Sequence, residues 1–178
     1  MEELTELALR ARDGDPSALE WFVRRSQADV WRLCRALVGP AAADDLTQET
    51  FARAVAALPA FRGGTARSWL LTIARRVCAD EIRGRTRRRR LALAATEVVE
   101  EVPPATGAVD LELLLDAIDE DRRVAFVLTQ WLGLSYAEAA DVCGCPVGTI
   151  RSRLARARED LVAAMAGEAA ARTGRRAR

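Results

Sequence analysis

Residues 134–161, Leu-Ser-Tyr-Ala-Glu-Ala-Ala-Asp-Val-Cys-Gly-Cys-Pro-Val-Gly-Thr-Ile-Arg-Ser-Arg-Leu-Ala-Arg-Ala-Arg-Glu-Asp-Leu, decide the fold. Ser135 and Glu138 have the spacing of a capping box, in which the hydroxyl and the carboxylate each satisfy a free N–H at the start of a helix. That helix is expected to end near Val142. Gly144 supplies the permissive backbone of a turn, and Pro146, tolerated in a first helical turn, marks the next start. At 100° per residue the second helix gathers Val147, Ile150, Leu154, Ala157 and Leu161 into one apolar stripe. The opposite side carries Gly148, Thr149, Ser152, Ala155 and Arg156, with Arg151 and Arg153 on its shoulders. Small polar residues with arginines suit a DNA major groove. An amphipathic hairpin with a solvated arginine face gives the same composition, so both readings stay open. The coincidence of capping box, glycine turn and groove-sized face favours DNA.

The chain has 178 residues, half of them hydrophobic, enough for one ordinary domain or two small ones. Aromatic residues are few and alanine is abundant, which favours helices over sheets. Net charge is only +1, but its distribution is uneven. Residues 1–90 hold 17 Arg and 12 acids, residues 91–121 no Arg and 9 acids, and residues 122–178 hold 10 Arg and 5 acids. Two basic segments therefore flank an acidic middle, and the neutral total does not argue against a nucleic-acid partner. Every base is arginine, and the absence of histidine removes the commonest general base and metal ligand. Cys34, Cys78, Cys143 and Cys145 are dispersed and lack zinc-site spacing, so reduced structural thiols are expected, with no metal and no cofactor. Glu2, Glu3 and Glu6 stand where a signal peptide has its basic region, and no apolar run reaches transmembrane length. A cytoplasmic location without membrane insertion is expected.

From the beginning, Glu3 to about Arg12 reads as a short helix. Asp15 and Pro16 open a longer one with Leu19, Phe22, Val23, Val30, Leu33 and Leu37 on its core side. Trp21 and Trp31 lie off that stripe and are expected to pack against neighbouring helices. After Gly39-Pro40, Ala41 to Leu58 forms the next helix, with Phe51, Ala54, Val55 and Leu58 on one side. Asp45, Gln48, Glu49 and Ala52 lie on the other, either a solvated face or a docking row for a partner's arginines. The loop 59–65 carries Phe61 and Arg62, a ring that either packs back or receives something flat. The helix from Ala66 to about Arg83 buries Trp69, Leu70, Ile73 and Val77 and presents Arg75, Arg76, Asp80 and Arg83. Cations near a loop aromatic suit single-stranded nucleic acid, and scattered surface arginines are the alternative. Arg83 to Arg90 and the Ala/Val/Glu-rich run to Gly107 read as a linker, whose arginines either solvate it or follow the phosphates of a nucleic acid. Helices over Asp110 to about Ile118 and Asp121 to about Trp131, the latter with Val124, Val127, Leu128 and Trp131 on one side, complete a four-helix module.

Three blocks together carry a resemblance: 44–51 (Asp-Asp-Leu-Thr-Gln-Glu-Thr-Phe) with Phe61-Arg62, 69–80 (Trp-Leu-Leu-Thr-Ile-Ala-Arg-Arg-Val-Cys-Ala-Asp), and 148–154 (Gly-Thr-Ile-Arg-Ser-Arg-Leu). In order and spacing the chain resembles the extracytoplasmic-function (ECF) sigma factors of bacterial RNA polymerase, a group of the sigma-70 family, from about Leu7 to Met165. The pattern is most similar to the actinobacterial sigma C lineage. The resemblance implies core RNA polymerase, through its largest and second-largest subunits, and promoter DNA, both double-stranded and melted, as partners, with an anti-sigma factor as a further one. It places Asp44, Asp45, Gln48, Glu49 and Phe51 against the polymerase. Phe61 and Arg62 would capture a flipped base, and Trp69, Arg75, Arg76, Asp80 and Arg83 would contact the minus-10 element. Thr149, Arg151, Ser152, Arg153 and Arg156 would contact the minus-35 element. The linker resembles a strand threading toward the RNA exit path, with Glu97, Glu100 and Glu101 in a basic channel. Two departures stand out: Arg76 replaces a frequent asparagine, and Ala139 a bulkier aliphatic residue.

The expected protein is therefore all-α, with two small helical modules joined by a flexible linker. The boundaries are 1–84 for a region 2-like module, 85–109 for the linker, 110–166 for a region 4-like helix-turn-helix module and 167–178 for a frayed basic tail. The expected function is that of an initiation factor and not an enzyme. The alternative is a helix-turn-helix repressor with an N-terminal sensor domain.

Overall fold

Asp15 and Pro16 start the first long helix as their chemistry requires. Asp15 is extended, and its carboxylate accepts the N–H groups of Ser17 and Ala18 at 3.0 Å each. Proline at the next position loses no donor that the first turn could have used. The computed structural model describes residues 2–94, 114–115 and 117–176, with side chains over 3–92, 114–115 and 117–166. Its elements are α1 (Glu2–Arg12), α2 (Pro16–Val38), α3 (Pro40–Ala57), a 3-10 turn (Leu58–Ala60), α4 (Ala66–Ala94), α5 (Glu120–Phe126), a π-helical turn (Val127–Trp131), α6 (Tyr136–Cys143) and α7 (Val147–Arg176). Among the described residues there is no strand. The chain divides into two compact units, Met1–Ala108 and Val109–Arg178.

In the first unit α2 is the central element, packed against α1, α3 and α4. Phe22, Val30, Leu33, Cys34 and Leu37 form its buried side. The reading of α3 needs correction. Its buried positions are Ala43, Thr47, Thr50 and Ala54, while Phe51 is half-buried and Val55 is 45% exposed. The threonines enter the core because each hydroxyl donates to a carbonyl one turn back, Thr47 to Ala43 and Thr50 to Leu46, both at 2.7 Å. A buried hydroxyl satisfied this way leaves no unpaired polar atom, so polarity alone misassigns the face.

Trp21 also departs from expectation. It is 50% exposed, with the guanidiniums of Arg24 and Arg25 each 5.8 Å from its ring. Trp31 does pack against a neighbour: its indole N–H donates to Asp44 on α3 at 2.8 Å, and Arg35 lies over the ring.

The third difference concerns α4, which does not stop at Arg83 but runs on to Ala94. Arginine is a good helix former, and the extension is tied down by ion pairs. Arg85 and Arg88 both reach Glu81, at 2.7 and 3.0 Å. Arg85 also donates to the Val38 carbonyl at the end of α2, where the helix dipole favours a cation. Residues 85–94 of the expected linker are thus helical; Glu97, Glu100 and Glu101 lie outside the described residues.

The second unit is built around α7. Val124, Ala125, Val127 and Leu128 are buried, but Trp131 is 39% exposed, contrary to its expected place on that side. The widened turn explains it. The Leu132 N–H bonds to the Val127 carbonyl five residues back, which rotates Trp131 outward and carries Leu132 and Leu134 into the core. The capping box at Ser135 and Glu138 is present, and Gly144 adopts the left-handed conformation between α6 and α7. Of the helix expected over Asp110 to Ile118, Leu114 and Leu115 are helical and buried, and residues 110–113 lie outside the described residues. The tail expected to fray after Met165 continues as helix to Arg176.

Gly39 joins α2 to α3 at φ 84°, ψ 168°, a region open in practice only to glycine. Nothing stands within 4 Å of a Cβ built there, so any cost of a side chain is backbone strain alone. Gly39→Ala is expected to lower the stability of the first unit by about 1–3 kcal/mol, read as a reduced urea midpoint at unchanged slope. D-Alanine at the same position should cost far less.

Candidate nucleic-acid and partner interfaces

Four apolar side chains orient α7. Ile150, Leu154 and Ala157 are buried and Val147 is half-buried, so the opposite side must face outward. Arg151, Ser152 and Arg156 are exposed and Thr149 is half-buried beside them. The Ser152 hydroxyl donates to the Thr149 carbonyl at 2.9 Å, leaving its lone pairs outward. Arg151 and Arg156 have no ion pair or hydrogen bond among the described residues.

Arg153 is placed differently. Its side chain is only 22% exposed, is ion-paired to Asp121 at the start of α5, and donates to the Cys145 sulfur at 3.7 Å. A second pair, Arg122 to Asp160 at 2.8 Å, joins the same two helices further along. Arg153 thus ties α7 to α5, and Thr149, Arg151, Ser152 and Arg156 are left on the outward side of α7. Position on the shoulder of the helical wheel made both fates possible, and only the tertiary partner decides.

On the first unit, the acceptor row of α3 is partly occupied. Asp44 accepts from the Trp31 indole, and Glu49 pairs with Arg53 at 2.7 Å. Asp45 and Gln48 are exposed and without partners among the described residues. Phe51 and Val55, displaced from the core by the threonines, extend this face with apolar surface. A row of acceptors beside an exposed apolar edge is suited to a partner helix that carries arginines.

Arg53 is the residue the sequence did not single out. It bridges Glu49 on α3 to Asp80 on α4 at 3.0 Å, and Asp80 also holds Arg83. Arg53, then Arg83, hold the Asp80 carboxyl below its ordinary range, and Asp80 and Glu49 hold the Arg53 guanidinium above its own. The Glu49–Arg53 half was legible as an i,i+4 pair; the Asp80 half is tertiary.

The loop ring packs back. Phe61 is 3% exposed and lies 5.0 Å from the half-buried Trp69 at an interplanar angle of 46°. The 3-10 turn brings it there, since the Phe61 N–H bonds to the Leu58 carbonyl at 2.9 Å, and Arg12 holds the Phe61 carbonyl at 3.2 Å. In this conformation Phe61 is a core residue under the loop and offers no face to a base. Arg62 stays exposed, donating to the Pro59 carbonyl at 2.7 Å. On α4, Arg76 and Arg83 are exposed and Arg75 is half-buried. The cysteines Cys34 and Cys78, far apart in sequence, meet in the core with sulfurs 3.7 Å apart and no disulfide between them.

The chain matches Sigma-70 region 2 over residues 22–88 and Sigma-70 region 4 over residues 108–161. It is 51% identical over 168 residues to the ECF RNA polymerase sigma factor SigC of Mycobacterium tuberculosis, covering 91% of each chain. The chain belongs to the ECF sigma factors.

Among solved structures it is similar to CnrH in complex with the cytosolic domain of CnrY, with 30% identity, a TM-score of 0.74 and coverage of 93% and 98%. It is also similar to the sigma factor RpoE in complex with the anti-sigma factor NepR from Bartonella quintana, with 30% identity, a TM-score of 0.68 and coverage of 82% and 95%. The family is one of transcription initiation factors rather than catalysts. The region 2 match contains the α3 row, the loop and the arginines of α4 through Arg88; the region 4 match contains the α5 clamp, the turn and the outer face of α7. Among the described residues no helix is long and apolar enough to cross a membrane.

The clamp separates Arg153 from its neighbours experimentally. Arg153→Ala and Asp121→Ala should each destabilise the second unit and couple in a double-mutant cycle by about 0.2–1 kcal/mol, since the pair is partly exposed. Arg156→Ala should leave the urea midpoint unchanged. A loss of DNA affinity in Arg153→Ala that exceeds its effect on folding would return Arg153 to the DNA face.

Proposed function

We propose that this sigma factor docks on core RNA polymerase through Asp45, Gln48, Glu49, Phe51 and Val55, and reads promoters at two separated elements. Asp44 contributes by fixing Trp31 rather than by contact. The first unit engages the minus-10 element through Arg62, Arg75, Arg76 and Arg83, with Asp80 and Trp69 holding the geometry of that surface. The second unit anchors on the minus-35 element through Thr149, Arg151, Ser152 and Arg156. Base capture by Phe61 would require the ring to leave Trp69 and is not part of the proposal. The chain works in the cytoplasm as a specificity subunit without catalysis of its own. An inhibitory anti-sigma protein would cover the same faces; the similar RpoE is itself in complex with an anti-sigma factor, and CnrH with the cytosolic domain of CnrY.

The observation that carries this reading is that region 2 and region 4 matches follow one another on a single chain, each with an exposed arginine-bearing helix face on it. Promoter-directed run-off transcription with purified core polymerase tests it. A defined transcript should appear only when the chain is present, and neither transcript nor association with core would overturn the proposal. Gln48→Ala combined with Glu49→Ala should abolish core association at unchanged helicity. Arg156→Ala should keep core association and weaken minus-35 recognition by about 1–3 kcal/mol, the worth of one good arginine–base contact.

A further inference from the structure

The extension of α4 past Arg83 has a consequence for DNA. Arg76, Asp80, Arg83, Arg87 and Arg90 follow one another at intervals of four, three, four and three, the spacing that puts residues on one face of a helix. The only acid of this stripe, Asp80, is held by Arg53 and Arg83. Arg87 and Arg90 are exposed and make no ion pair or hydrogen bond among the described residues. Other arginines of the same stretch are turned elsewhere: Arg85 to Glu81 and the end of α2, and Arg88 back to Glu81. Gly84 makes room for the latter, because a Cβ there would stand 3.3 Å from the Arg88 guanidinium.

We infer that Arg83, Arg87 and Arg90 form a phosphate-tracking ridge for duplex DNA, continuous with the proposed minus-10 face and independent of sequence. The inference rests on the minus-10 reading of α4. Seven residues of helix rise about 10 Å, roughly three steps of one DNA strand at 3.4 Å each. Apart from the arginines themselves, which meet phosphates and guanine edges alike, the ridge has no side chain equipped for base edges. Thr86 is turned onto its own helix, donating to the Ile82 carbonyl at 3.0 Å, and neither asparagine nor glutamine occurs between Arg76 and Arg90. Guanidiniums spaced along a rod at the pitch of the phosphates neutralise backbone charge and release counterions whatever the bases beneath them.

Salt dependence is the measurement. Affinity for promoter DNA is determined between 50 and 200 mM salt for holoenzymes assembled with the wild-type chain, Arg87→Ala/Arg90→Ala, and Arg87→Lys/Arg90→Lys. Each lost phosphate contact lowers the slope of log K against log salt by about 0.9. The double alanine variant should therefore lose about 1.8 in slope, so that the wild type weakens about twelvefold more than the variant across that range. The lysine variant should keep the wild-type slope, and the alanine variant's loss should be the same on promoters with altered minus-10 sequences. An unchanged slope overturns the inference, as does a loss confined to one sequence or a loss of core association with DNA binding intact, the last indicating an acidic protein surface as partner. If the wild-type chain forms no holoenzyme, the polymerase reading falls. The same slopes measured with the full chain alone on nonspecific duplex then decide the ridge by the same criteria.

Discussion

The buried side of α2, with Phe22, Val30, Leu33, Cys34 and Leu37 on it, is covered by α1, α3 and α4, and the functional surfaces of the first unit follow from how that cover is made. α3 lies against α2 through alanines and threonines, and its threonine hydroxyls are spent on backbone carbonyls. This inexpensive interior leaves the larger apolar residues Phe51 and Val55 at or near the surface, beside the free acceptors Asp45 and Gln48. Fully burying a phenylalanine or valine would favour folding by about 1.5–3 kcal/mol. Leaving them out of the core makes that apolar area available to a partner, so the mixed face of α3 is a by-product of its packing.

Charge organises the surface in a similar way, by deciding which arginines are occupied. Arg53 serves Glu49 and Asp80 at once, and so connects the face proposed for polymerase with the face proposed for DNA. Asp80 has a depressed folded-state value, so its contribution to stability is present above the ordinary carboxylate range and is lost as pH falls through the depressed value. Near neutrality the bridge is therefore complete.

Much of this was legible in the sequence. The Asp15 cap, the Gly39 and Gly144 breaks, the capping box and the apolar stripe of α7 depend on local chemistry, and each stands where residue spacing put it. The misses share a different cause. Phe51 and Val55 were grouped on one side with Ala54 and Leu58, which are buried, because satisfied threonines look polar. Trp131 was grouped on one side with Val124, Val127 and Leu128 because a helix of normal pitch was assumed where the backbone widens. Phe61 carried two open readings, and the 3-10 turn before it selects the packed one. The arginine run after Arg83 read as linker from its charge, yet Glu81, one turn upstream, was the partner that keeps it helical.

Arg153 and Arg156 show how far such reasoning extends. They sit three residues apart on one helix, have the same side chain, and differ by 60° around the axis at 100° per residue. That rotation brings one within reach of Asp121 and Cys145 and leaves the other in solvent. Arginine suits either position, because its planar fork satisfies a carboxylate in a partly buried pair as readily as it meets a phosphate or a guanine edge. In a chain whose only basic residue is arginine, composition cannot separate structural cations from recognising ones. The separation comes from burial and from acids within reach: where the guanidinium is largely covered and an acid of another helix faces it, as Asp121 faces Arg153, the arginine holds the fold. Where none does, as at Arg87, Arg90, Arg151 and Arg156, an unneutralised charge is left to face an anionic partner.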